Sequence, residues 1–422
     1  MNYFTYKGQE LFAEDVSIPG LAKQLGTPLY IYSARTLRRH YRVMREAFAG
    51  SDVLICFAMK ALSNLSVLKL FGDLGAGFDI VSVGELMRCV HAGADTSKIV
   101  FSGVGKTDEE IEAALKARIL MINVESRPEL GRVAAVAQRL GVRAPVSLRV
   151  NPDLDPGTHP HISTGHRDSK FGVPLSQVGE YYAEARRLPN LELAGLSTHI
   201  GSQITDTGPF TEAGEKVASI VKGLRADGIS LKYVDLGGGI GIPYQEEPPP
   251  PAQYAAALMG PLRGLGVKFI IEPGRVLVGN AGILVTKVLY VKETDVKRFI
   301  VIDGAMNDLI RPVLYEAFHD IRPVIKRDDG KVVTADVVGP VCESGDFFAR
   351  ERDLPEAQSG DLLAVMSAGA YGFVMASNYN SRPRPAEVMV NGAEYHVVRD
   401  RDSFEDIIRG EKLITLKPGP DA

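Results

Sequence analysis

Val53-Leu54-Ile55-Cys56-Phe57-Ala58-Met59-Lys60 is a short apolar run that ends on a lysine. Its first part, Val53–Phe57, reads as a strand. Seven comparable runs follow at Phe78–Val81, Ile99–Ser102, Ile119–Asn123, Val146–Val150, Leu193–His199, Tyr233–Leu236 and Val267–Ile271. Between them lie segments such as Glu109–Ala117, Arg127–Leu140 and Glu212–Arg225, whose apolar residues recur at helical spacing. Eight strands with intervening helices are the count for a (β/α)8 barrel of the TIM type. A doubly wound open sheet has the same periodicity, since alternation alone does not show closure.

After Gly274 the texture changes. Val276–Val291, Arg298–Ile302, Lys331–Val338, Asp361–Met366 and Ala386–Val390 read as strands separated by turns. The fold class is therefore α/β plus all-β, with a C-terminal β-sandwich or β-barrel domain. Pro248–Pro251 lies inside the first part and reads as a stiff surface loop.

The composition bounds the function. With 422 residues, two or three domains are expected and a core forms without disulfides. Lys+Arg 48 against Asp+Glu 52 leaves a net charge of −4, which argues against a nucleic-acid or acidic-membrane surface. Val276–Thr286 is too short to span a bilayer and is closed by Lys287. Cys56, Cys89 and Cys342 form no CxxC pair, so a disulfide framework or a cysteine metal site is not expected. The first residues show no basic segment followed by an apolar core, so a secretory leader is not expected and a cytoplasmic location is.

Two glycine motifs fall short of known fingerprints. Gly103-Val104-Gly105-Lys106-Thr107 lacks the first glycine of a phosphate loop, because position 100 is valine; it reads as a turn opening a helix at Thr107. Gly237-Gly238-Gly239-Ile240-Gly241 has Ile242 where a dinucleotide fingerprint needs its last glycine. That cluster still follows a strand, where it is either a tight turn or a cradle for a phosphate.

In a barrel, chemistry gathers at the C-terminal ends of the strands. Lys60 follows the first strand, Asp79 lies in the second, Arg149 ends the fifth, His199 ends the sixth, and Glu272 with Arg275 follows the eighth. Each alone has a bland reading: a solvated lysine, a capping aspartate, a core histidine, an Arg149–Glu272 ion pair. Together at one rim, a lysine, a glycine turn and a carboxylate point to a Schiff-base cofactor with a phosphate tail, pyridoxal 5'-phosphate.

At these residues the sequence resembles a known family. Phe57-Ala58-Met59-Lys60-Ala61, Phe78-Asp79-Ile80-Val81-Ser82-Val83-Gly84-Glu85, His199-Ile200-Gly201-Ser202-Gln203 and Glu272-Pro273-Gly274-Arg275 are similar to motifs of the barrel-type (fold type III) pyridoxal-phosphate decarboxylases, which include ornithine, arginine and diaminopimelate decarboxylases. Asp155-Pro156-Gly157-Thr158-His159 through Lys170-Phe171-Gly172, Arg311 through His319, Gly339 through Ser344, and Gly369-Ala370-Tyr371 running to Pro383 narrow the resemblance to the diaminopimelate branch. The motifs run in the family's order across nearly the whole chain. Leu62 stands where many relatives have asparagine, and nothing catalytic hangs on it.

The resemblance implies a barrel over 36–277 and a β domain over 278–422 that residues 1–35 complete. It also implies a homodimer with shared active sites, and decarboxylation of meso-2,6-diaminopimelate to L-lysine and CO2, the last step of lysine biosynthesis. By that likeness Lys60 carries the cofactor, Glu272 faces its ring nitrogen and His199 stacks on the ring. Gly237, Gly238, Gly239 and the turn Glu272-Pro273-Gly274-Arg275 hold the phosphate. Asp79, Ser202 and Tyr371 also contact the cofactor, and Arg149 has a weaker claim. Cys342 is the expected proton donor, because an ordinary thiol is mostly protonated at neutral pH. For the substrate's remaining groups, Arg275, Arg311 and Tyr315 suit a carboxylate, Glu343 suits an ammonium, and Tyr371 touches both ligands. His159, His161 and His166 are read as part of a loop over the site, with no metal expected. The rivals are a relative acting on ornithine, arginine or carboxynorspermidine, and a regulator that binds the cofactor without catalysis.

Overall fold

The computed structural model describes residues 2–154, 165, 169–328 and 330–416. Eight parallel strands form a closed ring: β1 Val53–Ala58, β2 Gly77–Ile80, β3 Ile99–Phe101, β4 Met121–Val124, β5 Ala144–Asn151, β6 Leu191–Thr198, β7 Tyr233–Asp235 and β8 Lys268–Ile271. Each pairs with the next, and β8 returns to β1 through Phe269 opposite Val53, so the sheet is a barrel and not an open one. The eight runs read from sequence match these strands to within about two residues a side.

The helices begin where their caps place them. Ser126 Oγ accepts from Glu129 N–H at the start of the helix Arg127–Leu140, and Gly141 ends it in the left-handed region. Thr107 and Glu110 form a capping box at the helix Asp108–Lys116. Lys106 of the phosphate-loop lookalike is buried, donating to Gly103 O, Asn123 O and Glu129 Oε1 at 2.6, 2.8 and 2.7 Å. Its ammonium is fully engaged by the fold, as the turn reading requires.

The second sheet runs Phe347–Pro355, Val332–Val338, Arg298–Ile302, Gly282–Glu293, Leu29–Ser33, Ala386–Asn391 and Glu394–Arg399. Leu29–Ser33 lies between two strands from the far end of the chain, so N-terminal residues do complete the β domain. Phe4, Leu11 and Ile18 join Ile283, Val285 and Val388 in the core beneath.

One expectation shifts. Val276–Val291 is not strand throughout: Arg275–Val278 is a helical turn and Gly279–Ala281 a 3-10 turn, and the strand begins at Gly282. Two β-branched residues in a four-residue turn carry no periodicity that separates helix from strand. That turn has a positional consequence, because it aims Arg275 back at the barrel mouth.

Candidate active site

β1 ends in the 3-10 turn Met59–Ala61, which delivers Lys60 to a pocket at the C-terminal end of the barrel. The pocket encloses about 160 Å³ and is lined by Lys60, Ser102, Arg149, Thr198, His199 and Glu272, among others. Lys60 Nζ donates to Asp79 Oδ2 at 2.5 Å, and Asp79, in β2, is wholly buried. Desolvation works against the lysine charge, yet Asp79 and then Glu272 outweigh it and hold Lys60 above its ordinary basicity.

Glu272 follows β8 and is buried. Ser102 Oγ donates to its Oε1 at 3.3 Å, and Asn123 Nδ2 bridges Ser102 Oγ at 3.0 Å and Asp235 Oδ2 at 3.1 Å. Burial, then the neighbouring Asp235 and Asp79, hold the Glu272 carboxyl well above the usual range. Burial likewise pushes Asp235 up to about 6. A positive group set against Glu272 would favour its ionised form. Sequence reasoning missed Asp235 and Asn123. Both close rim-facing strand ends, and Asp235 immediately before three glycines was the available signal.

The glycine turn is forced by space. A Cβ on Gly238 would lie 2.2 Å from Glu272 O, and one on Gly237, whose φ is +65°, 2.6 Å from Thr198 O. The Gly237 N–H donates to Asp235 Oδ1 at 3.0 Å and the Gly238 N–H to His199 Nδ1 at 3.1 Å. Two of the three amides expected to cradle a phosphate are therefore engaged by the protein, which among the described residues leaves the Gly239 amide. His199 Nδ1 is an acceptor, and burial, Arg149 and Lys60 together depress its basicity well below the usual value, so the ring is neutral. Arg149 does not pair with Glu272: its Nη1 donates to buried Glu125 Oε1 at 3.0 Å, and its guanidinium lies over Phe171.

A second group adjoins the first. The Tyr371 N–H donates to Ala61 O at 2.8 Å, beside Lys60, and the Arg275 guanidinium lies 4.9 Å from the Tyr371 ring centre. Arg275 also donates to Ser202 Oγ at 3.1 Å and Tyr244 Oη at 3.2 Å. Arg311 opens the helical turn Arg311–Tyr315, which sets Arg311 and Tyr315 one turn apart on one face. Its guanidinium lies 4.9 Å from the Tyr244 ring centre. Both arginines are buried, and among the described residues neither pairs with a carboxylate. A Cβ on Gly274 would lie 3.2 Å from the Cβ atoms of Ala58 and Ala61, and Pro273 O accepts from the Ala58 N–H at 3.2 Å, which ties this turn to the base of Lys60. Neither Tyr244 nor His319 has a role assigned from the sequence.

Cys342 and Glu343 stand apart. Cys342 is exposed, with Sγ 3.5 Å from Asn380 Oδ1, and Glu343 accepts from the Tyr379 hydroxyl. Neither lines the pocket that holds Lys60. His159, His161 and His166 lie outside the described residues. Among the described residues no group of three His, Cys, Asp or Glu is placed to hold a metal, and no helix is long and apolar enough to cross a membrane.

Comparison with known proteins bears on this arrangement. A family described as pyridoxal-dependent decarboxylase, pyridoxal binding domain, matches residues 34–279. A diaminopimelate decarboxylase of Vibrio cholerae is 52% identical over 417 residues, covering 98% of this chain and 100% of that one. The Pseudomonas aeruginosa enzyme of the same name is 50% identical over 415 residues, covering 98% and 100%. The crystal structure of diaminopimelate decarboxylase from Helicobacter pylori complexed with L-lysine superposes with a TM-score of 0.90 at 45% identity, covering 93% of this chain and 98% of that one. The M. jannaschii enzyme in co-complex with L-lysine gives 0.93 at 36% identity, covering 97% and 98%. The chain belongs to the barrel-type pyridoxal-dependent decarboxylases, in their diaminopimelate decarboxylase branch.

Proposed function

We propose that this chain decarboxylates meso-2,6-diaminopimelate to L-lysine and CO2 with pyridoxal 5'-phosphate, as the last step of lysine biosynthesis. The observation that carries the reading is the juxtaposition of Lys60, beside buried Asp79, with a buried arginine pair that has no carboxylate partner among the described residues. The first suits a carbonyl cofactor, the second a substrate with a carboxylate to spare. The residues fit the cofactor: an amine, a glycine turn too tight for any Cβ, and a carboxyl that ionises against a cation.

Bound there, the cofactor supplies an attachment for the substrate amine and an electron sink for the bond that breaks. The chain's residues do the rest. Lys60 would hold the cofactor. Glu272 would keep a proton on its ring nitrogen, and Asp235, Asn123 and Ser102 orient that carboxylate. His199, neutral and fixed by Gly238, would help hold the ring and keep water out. Gly239 with Gly274 would receive the phosphate. Arg275, Arg311, Tyr315 and Tyr371 take the carboxylate that the reaction spares, and Glu343 takes the distal ammonium. As CO2 leaves, Cys342 supplies the proton that replaces it on carbon.

Cys342 and Glu343 lie outside the Lys60 pocket of their own chain, which supports a homodimer whose sites each draw residues from two chains. The chain divides into a barrel over 36–277 and a β domain built from 1–35 and 278–422, and the site lies where they meet. A cytoplasmic location suits the free thiols. Comparing CO2 release from diaminopimelate, ornithine, arginine and carboxynorspermidine tests the substrate. Turnover of one of the other three with none of diaminopimelate rejects it.

A further inference from the structure

Two guanidiniums buried side by side repel, and each needs a partner to fix its direction. A carboxylate partner would fix it and cancel its charge as well. Among the described residues both arginines use only neutral acceptors. Arg311 Nη1 lies 2.8 Å from His319 Nε2, and His319 Nδ1 lies 2.8 Å from Met366 O. Since the carbonyl can only accept, Nδ1 carries the ring proton and Nε2 accepts from Arg311. The Tyr244 hydroxyl and the Ser202 hydroxyl accept from Arg275. The Tyr244 ring also packs edge-on against His319, with ring centres 5.5 Å apart, and lies under the Arg311 guanidinium.

We propose that His319 and Tyr244 are positioning residues that orient Arg311 and Arg275 through uncharged acceptors, so that both positive charges are left for the spared carboxylate of the amino-acid substrate. His319 is fully enclosed, and burial together with Arg311 holds its basicity down to about 3, so it stays a neutral acceptor across the working range. The proposal rests on the reading of this site as one for an amino acid that keeps a carboxylate.

The test compares His319→Gln, whose Oε1 can replace Nε2 as a neutral acceptor, with His319→Glu, which holds Arg311 equally well but neutralises it. Each cofactor-loaded protein is titrated calorimetrically with L-lysine and with cadaverine, which lacks the carboxylate, and KM and kcat for meso-diaminopimelate are measured beside it. His319→Gln is expected to lower the preference for L-lysine over cadaverine by about threefold or less, and His319→Glu by more than about tenfold, with KM rising far more than kcat falls. Equal preferences in the two variants would overturn the proposal, because a merely structural histidine does not distinguish a charged from a neutral replacement. If His319→Glu fails to fold, Tyr244→Phe decides: the preference falls by about fivefold or more, or the proposal is rejected. Wild-type protein that binds L-lysine no better than cadaverine also rejects it. Wild-type protein that prefers L-lysine without decarboxylating diaminopimelate rejects the proposed reaction and leaves the positioning role standing.

Discussion

Lys60 Nζ donates to Asp79 Oδ2 at 2.5 Å, while Asp79 Oδ1, buried beside it, has no hydrogen-bond partner among the described residues. Asp79 is thus a charge held in reserve for the lysine, and it raises the cost of removing the lysine proton. Asp79→Asn is expected to lower the Lys60 pKa and to move the pH midpoint of cofactor attachment downward, since only the neutral amine attacks a carbonyl. Absorbance-monitored attachment of pyridoxal phosphate to the cofactor-free protein between pH 6 and 10 reads the midpoint, and an unmoved midpoint contradicts this role.

Gly238→Ala tests the cradle by space alone. The added Cβ would sit 2.2 Å from Glu272 O, a distance that only a backbone shift relieves. Cofactor affinity should fall at least about tenfold, and stability by roughly 1–3 kcal/mol, the usual cost of overpacking. Equilibrium dialysis and denaturant unfolding measure the two, and wild-type values for both would show that the turn is not constrained.

The buried Asp235 gives a pH signature. Its folded pKa, about 6, lies above the ordinary value of 3.8, so the folded chain binds the proton more tightly than the unfolded one. Its contribution to stability is present below about pH 4 and is lost as pH rises through 6. In the cofactor-free protein, the stability difference between wild type and Asp235→Asn should therefore shift against wild type over that window. Urea midpoints at pH 4, 5, 6 and 7 give the slope, and a slope of opposite sign contradicts the assignment.

Shared sites predict complementation. Lys60→Ala and Cys342→Ala should each be inactive, but a mixture that exchanges subunits should have one intact site in each mixed dimer. About a quarter of wild-type activity should return when half the dimers are mixed. Recovery of none would place Lys60 and Cys342 in the same chain's site.

Much of this was legible in the sequence because the barrel strands are buried on both faces and read as unbroken apolar runs. The rim positions of Lys60, His199 and Glu272 followed from where those runs stop, and that of Asp79 from its place in the second run. Strands that face solvent were not legible in the same way. Phe347–Pro355 carries Arg350, Glu351, Arg352 and Asp353, and Glu394–Arg399 is half exposed, so neither shows an apolar face. Tyr244 and His319 act through tertiary contacts with arginines on other elements, and spacing along the chain holds no trace of those contacts. The use of Gly237 and Gly238 amides by Asp235 and His199 was hidden for the same reason.

The most direct test measures CO2 and L-lysine released from meso-2,6-diaminopimelate by the purified, cofactor-loaded protein, with Lys60→Ala as control. Equal amounts of both products from the wild type, and a rate lower by on the order of a thousandfold or more in the variant, are the predicted result. Wild-type protein that carries the cofactor on Lys60 yet releases neither product would contradict the proposed reaction.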